Sequence, residues 1–335
     1  MRIRSLASIV LGSATLLGAA PPQNGLSPQA VSSWVFVGPD GRLHYKSDPQ
    51  GNRIMDFSSA GYRGGGVALP AVSVATTVAP ITGDNTAAIQ AAIDAVSKAA
   101  PGADGFRGAV LLTPGSFDVS GTLVLAASGV VLRGSGSAAG GTVLHMTGAP
   151  HLMLSLAGSG ARQDGTSVSM TDPYVASGAN SFNVSDASQL KVGDAVVVQR
   201  PVTQPWVHLM GMDTLTGATG PQTWINVGSV IDSDRTIAAL SGNQITLDAP
   251  LADSFDATYL APPGGTVAPY SFPGRISDVG VEHLQVVAPA VDVIISSPQF
   301  TGAEMSGVAD AWLEDIVFQD TQNTVTVANS VKKVT

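Results

Sequence analysis

Three stretches near the end of the chain decide its fold: Val281-Glu-His-Leu284-Gln-Val286, Leu313-Glu-Asp-Ile316-Val-Phe318 and Val331-Lys-Lys-Val334-Thr335. Each sets two polar residues between two apolar ones. In a flat strand, adjacent side chains face opposite sides, so one polar residue of each doublet would point into the core. A sharp bend at the doublet removes that conflict, because both polar residues then project to water and both flanking apolar residues project inward. A chain that bends this way once or more per roughly 20–30 residues is a solenoid whose parallel strands stack coil on coil.

Short strands recur upstream with the same rhythm. Ala109–Leu112, Leu123 with Leu125, Val130–Leu132, Val143-Leu144 and Leu152–Leu156 alternate with turns at Thr113-Pro114-Gly115, Ser128-Gly129 and Gly134–Gly141. One helix precedes them. Ala87, Ile89, Ala92, Ile93 and Val96 form its apolar stripe, Asp84 or Thr86 caps its start, and Pro101-Gly102 ends it. A single early helix over 86–99 is expected to plug the first coil.

Two segments break the pattern. Val35–Val37 and Leu43–Tyr45 flank the turn Gly38-Pro39-Asp40-Gly41 and predict a β-hairpin arm within 21–75. Residues 164–269 hold a turn and strand over Leu190–Val198, a hairpin around Ser241-Gly242-Asn243, and an aperiodic stretch from Pro201 to Trp224. They predict an inserted β-rich subdomain between coils over 76–163 and further coils over 270–335. The apolar rhythm persists to Thr335, which leads us to expect a fragment of a longer protein.

Composition narrows the function. Charged residues make up 12% of the 335, with 38 Gly, 21 Pro and no Cys, a profile for short strands and tight turns. The lack of cysteine excludes disulfides, thiolate catalysis and Cys-zinc sites. A net charge of −9 with no basic run excludes nucleic acid as a partner. Residues 1–20, with Arg2 and Arg4 ahead of the apolar stretch Leu6–Leu17, read as a signal peptide, so a secreted or periplasmic location is expected. No later segment reads as a membrane span. Gly64-Gly65-Gly66 lacks the strand and helix context of a phosphate loop.

Gly83-Asp-Asn-Thr-Ala-Ala-Ile-Gln-Ala-Ala-Ile-Asp-Ala-Val96 resembles the opening helix of the pectate lyase superfamily. Gly108–Val119, Gly121–Leu125 and Gly129–Gly134 resemble its first coils, and Asp56–Gly66 is similar to a segment ahead of that helix in some bacterial members. The resemblance covers 83–144 closely and 276–335 in rhythm. It implies an all-β, right-handed parallel β-helix with a capping α-helix, monomeric when full length, acting on a polysaccharide partner that usually contains uronic acid. Members include lyases, hydrolases, epimerases and phage tail proteins. β-Elimination leads here, with hydrolysis on the same fold and non-catalytic glycan binding as alternatives. The paired aspartates and Gly-His-Gly of the polygalacturonan hydrolases do not occur in this sequence.

Elimination needs a base, a cation to neutralise the uronate carboxylate and an acid for the leaving oxygen; hydrolysis needs two carboxyls at a set separation. If the coils stack in register, Glu282, His283, Glu314, Asp315 and Lys332 form an outward ladder that binds Ca²⁺ or carries catalysis, with His283 as base. The plainer reading of the ladder, and the leading one, is a solvated corner, where a bend needs polar residues in any case. Arg133 and Arg275 pair with a uronate or tie down turns. Trp206, His208 and Trp224 stack on sugar rings or plug the insertion locally. Asp232-Ser-Asp234 is a fragment of a calcium-loop pattern without the remainder.

Overall fold

The computed structural model describes residues 32–217, 220, 221 (backbone) and 223–335. The expected signal peptide lies outside them. The chain forms two compact units, dividing after Lys46. In the first, Val35–Val37 pairs antiparallel with Leu43–Tyr45, as the turn residues predict. Residues 47–75, expected within the same arm, belong to the second unit.

That second unit is a parallel β-helix. On one face, Val74–Val78, Gly108–Leu112, Val130–Arg133, Ile276–Val287, Val308–Gln319 and Lys332–Val334 pair in that order, all parallel. On the next, Gly115–Val119 pairs with Thr142–Met146, which pairs with the end of Ile276–Val287. On the third, Leu123–Leu125, Leu152–Ala157, Thr301–Ser306 and Gln322–Val327 follow one another. Coil length is read directly from partners: Ala109 pairs with Val131, 22 residues on, and Ala311 with Val334, 23 on.

The bends expected at the doublets are present and have a local cause. His283 and Asp315, the second residues of their doublets, sit in the left-handed region at φ 59° and 50°. Asp278, Asp310 and Lys333 do the same at φ 56°, 52° and 56°. A left-handed residue reverses the alternation, so the apolar residues on both sides point inward. Val281, Leu284, Val286, Val279, Ala311 and Val308 are accordingly fully buried in one core with Val110, Leu112, Phe117, Leu132 and Leu144.

The helix Thr86–Lys98 contributes Ile89, Ile93 and Val96 to that core. Its start is built from two neighbours. Asp84 accepts from the Thr86 backbone and hydroxyl and from Ser120, bonds that hold its carboxyl well below the usual range. Asn85 occupies the N-cap position, and its side chain bonds Ile81 and Gly83 instead of the helix.

Residues 163–271 form an antiparallel sheet around Ala195–Pro201, Val230–Ser241 and Thr266–Ser271, with its own apolar cluster including Val196, Val198, Ile245 and Leu247. The coils close up across this stretch. Arg133 and Glu282, 149 residues apart, stand on neighbouring rungs.

A third cluster lies outside the tube. Ala109, Val131, Gly280 and Trp312 follow one another on adjacent rungs of the first face. Trp312 is fully buried, edge-on to Tyr62 at 5.2 Å and to Phe106 at 6.2 Å. It lies over Gly280, where an added Cβ would come within 2.1 Å of the indole. The Gly61–Gly66 loop is tied down beside it: the Tyr62 hydroxyl donates to Asp278 at 2.7 Å, Arg63 pairs with Asp278 at 3.0 Å, and the Arg63 amide donates to Asp310.

Candidate functional site

The candidate residues fall in three places. The first is a groove of about 550 Å³ on the side of the coils. One wall is Ala68–Ala71, the continuation of the tied-down loop; the other is Arg133, Glu282, His283 and Glu314. Glu282 and Glu314 are register partners on adjacent rungs, as the doublet spacing predicts. One donor atom each from Glu282, His283 and Glu314 lies within 4.8 Å of the others.

The expectation that both residues of the doublet project to water fails at Glu282, which is 4% exposed. Arg133 covers it, with Nη2 and Nε donating to Oε1 at 2.9 and 3.2 Å. Arg133 Nη1 also donates to the Val72 carbonyl at 2.8 Å. Of the two readings of Arg133, these contacts favour the structural one: its guanidinium is engaged with Glu282 and the Val72 carbonyl.

His283 is fixed from behind, with Nδ1 at 3.0 Å from Asp315 Oδ2 and Nε2 at 3.6 Å from Glu282 Oε2. Ser137 donates to the other oxygen of Asp315, and with His283 it holds that carboxyl below its usual range. Ser137 comes from the loop Gly134–Gly141, which from sequence reads only as a turn. That loop presses close: Gly134 and Gly136 amides donate to the Glu282 and His283 carbonyls, and a Cβ at Gly134 would sit 2.2 Å from the His283 oxygen. Glu314 is partly buried, and no described residue hydrogen-bonds its carboxylate.

Lys332 does not join this ladder. Its register partner is Ala309, so Lys332-Lys333 stacks on Ala309-Asp310 and not on Glu314-Asp315. The reason is length: Glu314 to Lys332 is 18 residues, fewer than the 22 or 23 of the shorter coils on this face and the 32 that separate Glu282 from Glu314.

Lys332 belongs to the second place, the junction of the coils with the antiparallel sheet. Asp234 there accepts from Lys332 Nζ at 2.7 Å, from the Tyr270 hydroxyl at 2.7 Å and from Arg275 Nη1 at 2.9 Å. Arg275 also donates to the Ser330 carbonyl at 2.7 Å, so it too ties structure together. Asp232 and Asp234 are strand residues, opposite Gln199 and Val197, and Asp232 is held by Arg162 at 2.6 Å. Cations of the chain pair with both carboxylates, in keeping with the incomplete calcium-loop pattern. Burial raises the Asp234 carboxyl, but Lys332, Tyr270 and Arg275 outweigh it, and the net shift is downward. A carboxyl depressed in the folded state stabilises above its unfolded value, roughly pH 4, and that stability is lost as pH falls through the folded value. Acid melting curves should therefore show a stability loss below about pH 4 that is reduced in Asp234→Asn.

The third place is the stretch 203–230. Trp206 is packed, with the Arg200 guanidinium 4.2 Å from its ring and apolar clusters on two sides. Trp224 is 75% exposed, and His208 projects outward with Nδ1 at 3.0 Å from Asp213.

No protein-family profile and no curated protein matches this chain. Among solved structures it is similar to the tailspike protein gp49 from Pseudomonas phage LKA1, at 18% identity and TM-score 0.38, over 69% of this chain and 31% of that one. It is also similar to the tailspike gp61 of Pseudomonas phage phi297, at 18% identity and TM-score 0.33, over 69% of this chain and 33% of that one. A third is the Gp54 tailspike of Acinetobacter baumannii bacteriophage AP22, determined in complex with A. baumannii capsular saccharide, at 9% identity and TM-score 0.30, over 74% of this chain and 43% of that one. The chain thus spans less than half the length of each. No helix among the described residues is long and apolar enough to cross a membrane.

Proposed function

We propose that this chain is a carbohydrate-active, right-handed parallel β-helix that holds a uronate-bearing polysaccharide in the groove beside Glu282, His283 and Glu314 and cleaves it by β-elimination. In this reading the helix Thr86–Lys98 plugs the first coil and residues 164–269 are an insertion between coils. The observation that carries the proposal is the stack of Glu282 on Glu314 with His283 beside them, on the wall of a formed groove. The resemblance over 83–144 supports a polysaccharide as the ligand.

The same stack disfavours hydrolysis. Hydrolysis needs both carboxyls free to work on the sugar, one as acid and one as base or nucleophile, whereas Glu282 is locked by Arg133. For elimination, Glu314 suits the base better than His283. Both His283 nitrogens face carboxylates, while Glu314 has no described hydrogen-bond partner. The neutralising charge has to come from outside the protein's own cations, since Arg133 is engaged.

Incubation with a panel of uronate polysaccharides should produce new reducing ends together with the ultraviolet absorbance of an unsaturated uronate. Glu314→Gln should slow that product by about 10²–10⁴-fold while the polymer still binds. Reducing ends without the absorbance would assign hydrolysis, and binding with neither product would assign a binding protein.

A further inference from the structure

The Ca²⁺ weighed for the ladder of doublets does not fit this groove, and the misfit points to another ion. Ca²⁺ takes roughly six to eight oxygen ligands. The donors gathered here are a carboxylate oxygen from Glu282, another from Glu314 and an imidazole nitrogen from His283. We propose that Glu282, His283 and Glu314 hold a first-row divalent metal ion of the zinc or manganese kind, with its remaining coordination positions open to the groove.

Two independent features carry this. The first is charge. Glu282 and Glu314 stand directly opposite on adjacent rungs, an arrangement in which like charges repel. Arg133 offsets one carboxylate, and among the described residues no Lys or Arg pairs with Glu314. A divalent cation between the two rungs turns that repulsion into attraction. The second is the support of the imidazole. Metal-bound histidines have their second nitrogen held by a carboxylate or carbonyl, which fixes the ring and the tautomer. Asp315 does this to Nδ1, and Ser137 in turn steadies Asp315. Nε2 is then the free ligand atom, on the side of Glu282 Oε2, while Arg133 occupies Oε1. The left-handed corner at His283 brings its ring to the same side of the strand as Glu282.

Imidazole with carboxylate selects borderline ions over Ca²⁺, and such sites bind Zn²⁺ more tightly than Mn²⁺. Three protein ligands with open positions is the arrangement that leaves room for a substrate oxygen. The inference rests on the groove being the functional site, but its readout needs no polysaccharide, so the two fail separately.

The test is calorimetric titration of the chelator-stripped chain with zinc, manganese and calcium chlorides. We expect one saturable zinc site, weaker manganese binding and the weakest binding for calcium. Glu314→Gln and His283→Asn should each weaken zinc by at least about tenfold, whereas Asp94→Asn, on the helix Thr86–Lys98 away from the groove, should leave it unchanged. Asparagine tolerates the left-handed corner, so His283→Asn preserves the bend. Should either variant fail to fold, manganese added to the unaltered protein must broaden the His283 ring resonances before those of the other four histidines. No saturable zinc binding, equal binding in all variants, tighter calcium than zinc, or broadening that starts at another histidine would overturn the proposal.

Discussion

Replacing Trp312 with alanine is expected to destabilise the protein by about 3–5 kcal/mol, measured as a shift in the denaturant midpoint. The indole is fully buried between the coils and the Gly61–Gly66 loop, so its loss opens a cavity that rigid rungs cannot fill by collapse. The partner change is Gly280→Ala, which drives a methyl into the ring at 2.1 Å. Overpacking of that kind costs roughly 1–3 kcal/mol. Because the two changes act on one contact, they should couple: alanine at 280 should cost much less once Trp312 is already alanine. Purely additive effects would mean that Trp312 does not lie over Gly280.

The second large effect is electrostatic. Arg133→Leu leaves the Glu282 carboxylate buried without a counter-charge, and losing one partner of a buried pair costs about 3–5 kcal/mol. The double variant Arg133→Leu with Glu282→Leu should recover most of that loss, because the cost lies in the unpaired charge. The single variant should also free the Val72 carbonyl and loosen the 68–72 wall of the groove, visible as faster amide exchange there. Equal stability of the single variant and the parent would contradict the ion pair.

The two effects show which parts of this molecule can be read from sequence. The bends were legible because an apolar, polar, polar, apolar run has one comfortable solution, a left-handed residue at the second polar position, and His283 and Asp315 take it. The helix was legible because Ile89, Ile93 and Val96 recur at helical spacing. The stacking of Lys332 was not. Register is set by how many residues a coil needs, and the corner at Asp310, flanked only by alanines, carries too weak an apolar signal to compete with Glu314-Asp315. The burial of Glu282 was hidden for a different reason. Its cover comes from Arg133, 149 residues away, and from the wall at 68–72. Ser137 was hidden within a glycine-rich turn whose sequence gives no hint of the carboxylate it meets.

The groove beside Glu282, His283 and Glu314 as the place that holds polysaccharide is tested most directly by hydrogen–deuterium exchange with and without a saturating uronate oligosaccharide. Slowed exchange at 68–72, 133–137, 282–285 and 313–316, with no change around Trp224, is the predicted result. Protection confined to 203–230, with the groove unaffected, would contradict it.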